Sequence, residues 1–149
     1  MDNETILNCQ VDDEHIRKAR ETYKNQLRRT GDADPEITFA YAHLLTGSKN
    51  EAEVKRGVQL LELLIKTDKC RREYVYYLSF GYARLKEYDI SLKYVQALLV
   101  SEQQNHQILA LEKAIHEKMR REGLIGAAIL GGAAVFVGAV VTAFFALRK

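Results

Sequence analysis

Apolar side chains recur at intervals of three and four along most of the chain, and almost no stretch alternates in the way a half-buried strand requires. Ile16, Ala19, Tyr23 and Leu27 fall on one face of a helix expected over about 15–30. Gly31 follows, and glycine can take the left-handed conformation that closes a helix. Asp34-Pro35 reads as an N-cap followed by proline at the first helical position, so a second helix should run from Pro35 to about Thr46 and stop at Gly47. Asn50-Glu51-Ala52-Glu53 resembles a capping box and opens a third helix, to about Lys66. Further helices fit about 71–85, 89–100 and 105–121. The connections are short, so neighbouring helices should be antiparallel. The expected fold class is all-α, a six-helix bundle.

The pattern changes at Gly123. From there to Leu147 no side chain is charged. A helix of that length would span roughly 37 Å at about 1.5 Å per residue, more than the roughly 30 Å of a bilayer's hydrocarbon core. A buried soluble helix rarely runs so long without a charge. Half of the segment is Gly and Ala, so the drive to insert is modest, roughly 4 to 7 kcal/mol from its Leu, Ile, Val and Phe residues. Lys118, Arg120 and Arg121 flank it on one side and Arg148 and Lys149 on the other. The acidic start, Met1-Asp2-Asn3-Glu4-Thr5, has no apolar core of a secretory signal. The expectation is a C-terminal tail anchor at Gly123–Leu147, followed by a basic tail at 148–149, with residues 1–122 in the cytosol.

Charge and composition then narrow the soluble part. With Arg148 and Lys149 set aside, twenty basic residues face twenty acidic ones, which is not the balance of a nucleic-acid binder. Cys9 and Cys70 are far apart and are expected to be free thiols. His15, His43, His106 and His116 are scattered, with no zinc spacing, and no nucleophile, base or phosphate-loop constellation is present. No enzyme, cofactor, metal or small-molecule substrate is expected.

Within the helical part, Gly57–Ile65 lies over Ser91–Leu99 at an offset of 34 residues. The preceding helices align at 37, Tyr41-Ala42-His43 over Leu78-Ser79-Phe80, with a three-residue insertion near Ser48–Glu53. A helix–turn–helix period of 34 is that of the tetratricopeptide repeat. Two units are expected, about 35–68 and 72–105, flanked by capping helices at about 15–30 and 105–121. Ala42, Gly57, Ser79 and Ser91 occupy the positions where the two helices of a unit cross and only a short side chain fits.

Stacked helix hairpins form a concave surface from the first helix of each unit. Its inward positions are expected to be Glu36, Phe39, His43, Thr46 and Gly47 in the first unit, and Glu73, Tyr76, Phe80, Ala83 and Arg84 in the second. An aromatic groove with a cation at one end suits an amphipathic or extended peptide. Alternatively these aromatics pack beneath the N-terminal segment, residues 1–10, or beneath the first helix. Both uses are compatible if that arm is a movable lid.

Taken together, the acidic arm, two repeats and Gly/Ala-rich tail resemble the mitochondrial fission 1 family over nearly the whole chain. The specific stretches are Tyr74-Val75-Tyr76-Tyr77-Leu78, Arg84-Leu85-Lys86-Glu87-Tyr88, Leu92-Lys93-Tyr94-Val95 and Gly123-Leu124-Ile125-Gly126. Ser91 and Gln103 stand where the family usually has Ala and Pro, and His43 and Gly47 where other members tend to have Trp and Arg. The resemblance implies an adaptor of the mitochondrial outer membrane, shared with peroxisomes, that recruits or regulates a dynamin-related GTPase directly or through other fission adaptors. A homo-oligomer is compatible with it. The other reading of the same groove is a co-receptor for import or chaperone-delivered peptides on that membrane.

Overall fold

The structure is a computed structural model that describes residues 3–123. The anchor expected at 123–147 lies outside the described residues beyond Gly123, as do Arg148 and Lys149. Among the described residues no helix is long and apolar enough to cross a membrane. Seven helices and no strands are present there: α1 (Asn3–Asn8), α2 (Asp13–Thr30), α3 (Pro35–Thr46), α4 (Glu51–Thr67), α5 (Arg72–Arg84), α6 (Tyr88–Ser101) and α7 (His106–Arg121). The six helices read from the apolar spacing are α2–α7. The seventh, α1, is a short turn of the N-terminal arm, too brief for a periodicity argument to detect.

The helix ends follow the local chemistry. The Asp12, Asp34, Asn50 and Asn105 side chains each accept a hydrogen bond from a backbone N–H in the first turn of their helix. Gly31 closes α2 at φ 77°, the left-handed region where a Cβ is penalised. The capping box expected at Asn50 is relayed rather than direct. Ser48 Oγ accepts from the Asn50 N–H at 3.0 Å and donates to the Glu53 carboxylate at 3.1 Å. The insertion between the first unit's helices thus carries its own buried hydroxyl.

Each helix from α2 to α7 packs on the next, and among the first helices of successive pairs α3 also touches α5 and α5 touches α7. This is the layering of stacked helix hairpins: α3, α5 and α7 on one side, α4 and α6 on the other. The core is continuous through the stack, with Leu45, Leu61, Leu78, Val95, Leu98, Ile108, Leu111 and Ile115 fully buried. At the α3/α4 crossing a Cβ on Gly57 would lie 2.8 Å from the Ala42 carbonyl oxygen and 2.9 Å from Leu45 Cβ. At the equivalent α5/α6 crossing two serines meet. Ser79 Oγ donates to the Ser91 carbonyl at 3.1 Å, and Ser91 Oγ donates to the Ser79 carbonyl at 2.7 Å. Both solutions let backbones approach closely, the first by omitting a side chain, the second by using a short one that satisfies itself.

The α3/α4 crossing sets a prediction. Gly57→Val must push backbone rather than a flexible side chain, and should cost about 2 kcal/mol of stability even though valine favours helix over glycine. Urea unfolding of the variant against the parent chain measures it.

Candidate peptide-binding groove

The face shared by α3 and α5 is aromatic. Phe39 and His43, one turn apart on α3, stack with ring centroids 5.2 Å apart. Tyr77 on α5 closes the cluster, 5.8 Å from Phe39 and 5.1 Å from His43, while Tyr74 lies 5.3 Å from Phe39. His43 Nδ1 is 3.1 Å from the Phe39 carbonyl one turn back. Phe39, His43 and Tyr77 are each half-buried, so part of every ring remains open to a ligand. Such offset and tilted ring arrangements are favourable beyond their buried area.

Eight of the ten positions expected to face inward divide into three groups. Phe39 and His43 come together with Tyr77, and Phe80 is half-buried one turn further along α5. Thr46 and Ala83 are fully buried and Tyr76 is nearly so. Burial raises the Tyr76 hydroxyl pKa, opposed by a hydrogen bond with the Gln107 side chain, which places that hydroxyl toward α7. The acids lie outside the cluster: Glu73 is exposed, and Glu36 pairs with Arg71 at 2.6 Å. On helical spacing Glu73, Tyr77, Phe80 and Arg84 share one face of α5, while Tyr76 and Ala83 share the next. Tyr77 is the residue that sequence reasoning omitted. The available signal was its place four residues after Glu73 and three before Phe80.

Arg84 terminates the face. Its Nη1 donates to the Thr46 carbonyl at 2.9 Å, linking the C-terminal ends of α5 and α3. Partial burial pushes the guanidinium below its ordinary pKa, opposed by the nearby Cys9, and it remains cationic at physiological pH. Both cysteines are free thiols, Cys9 exposed and Cys70 half-buried, with burial raising the Cys70 thiol. Among the described residues no group of three or more metal-ligating side chains converges.

The segment that joins the arm to α2 crosses this end of the groove. The Val11 N–H donates to the Gly47 carbonyl at 2.9 Å, and a Cβ on Gly47 would collide with Val11 Cγ2. Leu7 is buried, and α1 packs against α7 and touches α5. Gly47 therefore serves as the seat of the arm, a role the repeat pattern does not reveal.

Tyr74 anchors the aromatic cluster from below, its hydroxyl donating to Asp68 at 2.6 Å. That bond holds the Asp68 carboxyl below its ordinary value, helped by the Lys69 backbone N–H.

Three comparisons place this geometry. Residues 72–124 match the family model described as the Fis1 C-terminal tetratricopeptide repeat. The chain is 43% identical over 152 residues to the FIS1-related protein fis-2 of Caenorhabditis elegans, covering all of both chains. It is 39% identical over 136 residues to the mitochondrial fission 1 protein of Bos taurus, covering 90% of this chain and 89% of that one. Among solved structures, yeast Fis1 in complex with an Mdv1 fragment superposes with a TM-score of 0.69 at 28% identity, over 79% of this chain and 92% of that chain.

Two predictions follow from the geometry. Gly47→Leu should unseat the arm, so that the Val11 amide loses about 1 kcal/mol of protection and exchanges roughly fivefold faster, with α3–α7 amides unchanged in hydrogen exchange. Asp68 has a lowered folded pKa, so its contribution is present above the unfolded value of about 3.9 and disappears as pH falls through the folded one. Tyr74→Phe should therefore lower stability by about 1 kcal/mol at neutral pH and flatten the loss below pH about 4, read from urea midpoints across acidic pH.

Proposed function

Because the chain belongs to the mitochondrial fission 1 family, we propose that it is a non-catalytic adaptor of mitochondrial fission whose α3/α5 face holds a peptide segment of its partner. The single observation that carries this is the half-open cluster of Phe39, His43 and Tyr77 on a fold whose yeast relative is seen in complex with an Mdv1 fragment. The relatives associate this family with mitochondria. The finer parts belong to the same reading. Residues 11–122 form the cytosolic domain and residues 123–147 anchor it in the mitochondrial outer membrane and on peroxisomes. The anchor's basic flanks, Lys118, Arg120, Arg121, Arg148 and Lys149, direct it there. The groove residues are Phe39, His43, Thr46, Glu73, Tyr76, Phe80, Ala83 and Arg84, with Tyr77 added. The partner is a dynamin-related GTPase, met directly or through a fission adaptor.

Physically, the anchor confines a weak binding surface to one membrane. Tethering makes each encounter nearly intramolecular, so several anchored copies capture a partner that one free copy would release. The partner supplies the constriction; this chain supplies the place. Buried Tyr76, Thr46 and Ala83 act by shaping the face, whereas Phe39, His43, Tyr77, Phe80 and Arg84 have surface to offer a ligand.

Tyr77→Ala with Phe80→Ala in the full chain should reduce recovery of dynamin-related GTPase or fission adaptors from cells by roughly 30-fold, the size of a hot-spot loss of about 2 kcal/mol. Circular dichroism checks that the helices persist. Deleting residues 123–149 should leave the protein in the cytosol and abolish organelle division. Recovery of precursors and chaperones instead of fission proteins, with normal division, would replace this reading by the import co-receptor.

A further inference from the structure

Charge is ordered along the α3/α5 face. Glu73, Tyr77, Phe80 and Arg84 follow one another along a single face of α5. α3 runs beside it in the same direction. Arg71 at the start of α5 pairs with Glu36 in the first turn of α3 at 2.6 Å, and Arg84 at the end of α5 donates to the carbonyl of Thr46, the last residue of α3, at 2.9 Å. The face therefore opens on two carboxylates, continues through aromatic rings and closes on a guanidinium. Eleven residues separate Glu73 from Arg84, roughly 16 Å at about 1.5 Å per residue.

An acid in a first turn and a cation in a last turn suit the helix dipole. The dipole accounts for the signs but not for where Arg84 lies, because a cation that serves only the dipole can stay in water. Arg84 is half-buried, and burial works against its charge. The other two arginines of this segment have acids: Arg71 has Glu36 and Asp68, and Arg72 has Glu102. Among the described residues Arg84 has none, and its one hydrogen bond is to the neutral Thr46 carbonyl. A guanidinium carries five N–H donors in a fork that matches a carboxylate, so most of this one's capacity is unspent. At the opposite end Glu73 is exposed and makes no hydrogen bond or ion pair among the described residues. The chain's own Arg71 shows what such an end accepts: its guanidinium lies 5.7 Å from the Tyr74 ring centroid while paired with Glu36. Glu73, one turn before Tyr77, repeats that carboxylate beside a ring and lacks the cation.

We infer that the segment held on this face is itself dipolar: an Asp or Glu side chain of the partner pairs with Arg84, apolar side chains lie on Phe39, Tyr77 and Phe80, and a Lys or Arg side chain lies between Glu73 and the Tyr77 ring. This rests on the reading of the α3/α5 face as a peptide site and adds to it a charge order, and with that a direction. The same segment laid the other way meets like charge at both ends. Such juxtapositions reject a wrong partner or a wrong register at a cost of several kcal/mol, which matched pairs alone do not guarantee.

The test selects peptides from a random library displayed on phage, with the full chain in neutral detergent as bait, and keeps those whose binding is lost to Tyr77→Ala with Phe80→Ala. The selected sequences should carry one acidic and one basic residue on either side of an apolar stretch. The leading sequence, made as a labelled synthetic peptide, should bind about tenfold more weakly when its acid is changed to Lys, and Arg84→Glu in the chain should restore most of that loss. Changing its basic residue to Glu should weaken binding by a similar factor, restored by Glu73→Lys at an exposed position. Circular dichroism checks that both chains stay helical. If Arg84→Glu unfolds, Arg84→Gln replaces it, and that chain should bind the acidic peptide and its Gln counterpart equally. Selected peptides without the acid, or losses that the reversed chains do not restore, overturn the charge order while leaving the face as a peptide site. If no selected peptide depends on Tyr77 and Phe80, the peptide site itself falls and the inference falls with it.

Discussion

The rest of the structure depends on the burial of α5. Tyr74, Val75, Tyr76, Leu78, Ser79, Gly81 and Ala83 are all buried along one thirteen-residue helix, so α5 presents little free face to water. Every polar group it carries must then find a partner on a neighbour, because a buried unpaired polar atom costs more than a made hydrogen bond returns. The neighbours supply them in turn. Arg72 pairs with Glu102 just past α6, Tyr74 with Asp68 at the end of α4, Tyr82 with Glu62 inside α4, Ser79 with Ser91 in α6, and Arg84 with the last carbonyl of α3. Among the described residues no buried side-chain polar atom is left without a partner. One helix therefore fixes the orientation of its neighbours, and the groove inherits that rigidity.

The same constraint explains why the groove is aromatic but only half-open. α5 spends one face on α6, one on α4 and one on α7, and what remains lies beside α3. Rings on that strip are large enough to reach Phe39 and His43 while retaining exposed edges. A peptide laid there would meet surfaces that are already ordered, which reduces the entropic cost of binding. The arm exploits the end of the strip through a different device, the missing side chain at Gly47, which lets Val11 approach the backbone directly.

The two ends of α7 meet different surroundings. Its apolar face, with Ile108, Leu111, Ala114 and Ile115, is committed to the core, while its last turn carries Lys118, Arg120 and Arg121, the sign that suits a helix C-terminus. Lys118 of that turn also reaches across to Asn8 Oδ1 of α1 at 3.4 Å, so the end of the helix and the start of the chain are tied together.

Local chemistry was legible in the amino-acid sequence. Apolar spacing of three and four located six helices, and Asp34-Pro35, Asn50 and Gly31 located the caps of three helix ends, because those signals act over one turn of chain and need no distant partner. The 34-residue offset revealed the repeat, and the small residues at 42, 57, 79 and 91 marked the crossings, since steric exclusion at a crossing leaves a trace in side-chain size. What the tertiary structure alone decided was direction. Tyr76 and Tyr77 are adjacent, aromatic and equal in any composition argument, yet one hydroxyl turns toward Gln107 of α7 and the other ring joins Phe39 and His43. That choice follows from the rotation of α5 against three neighbours at once. Likewise the six-residue α1 gains its order from Leu7 and Val11 finding seats far along the chain, a long-range contact that no local pattern encodes.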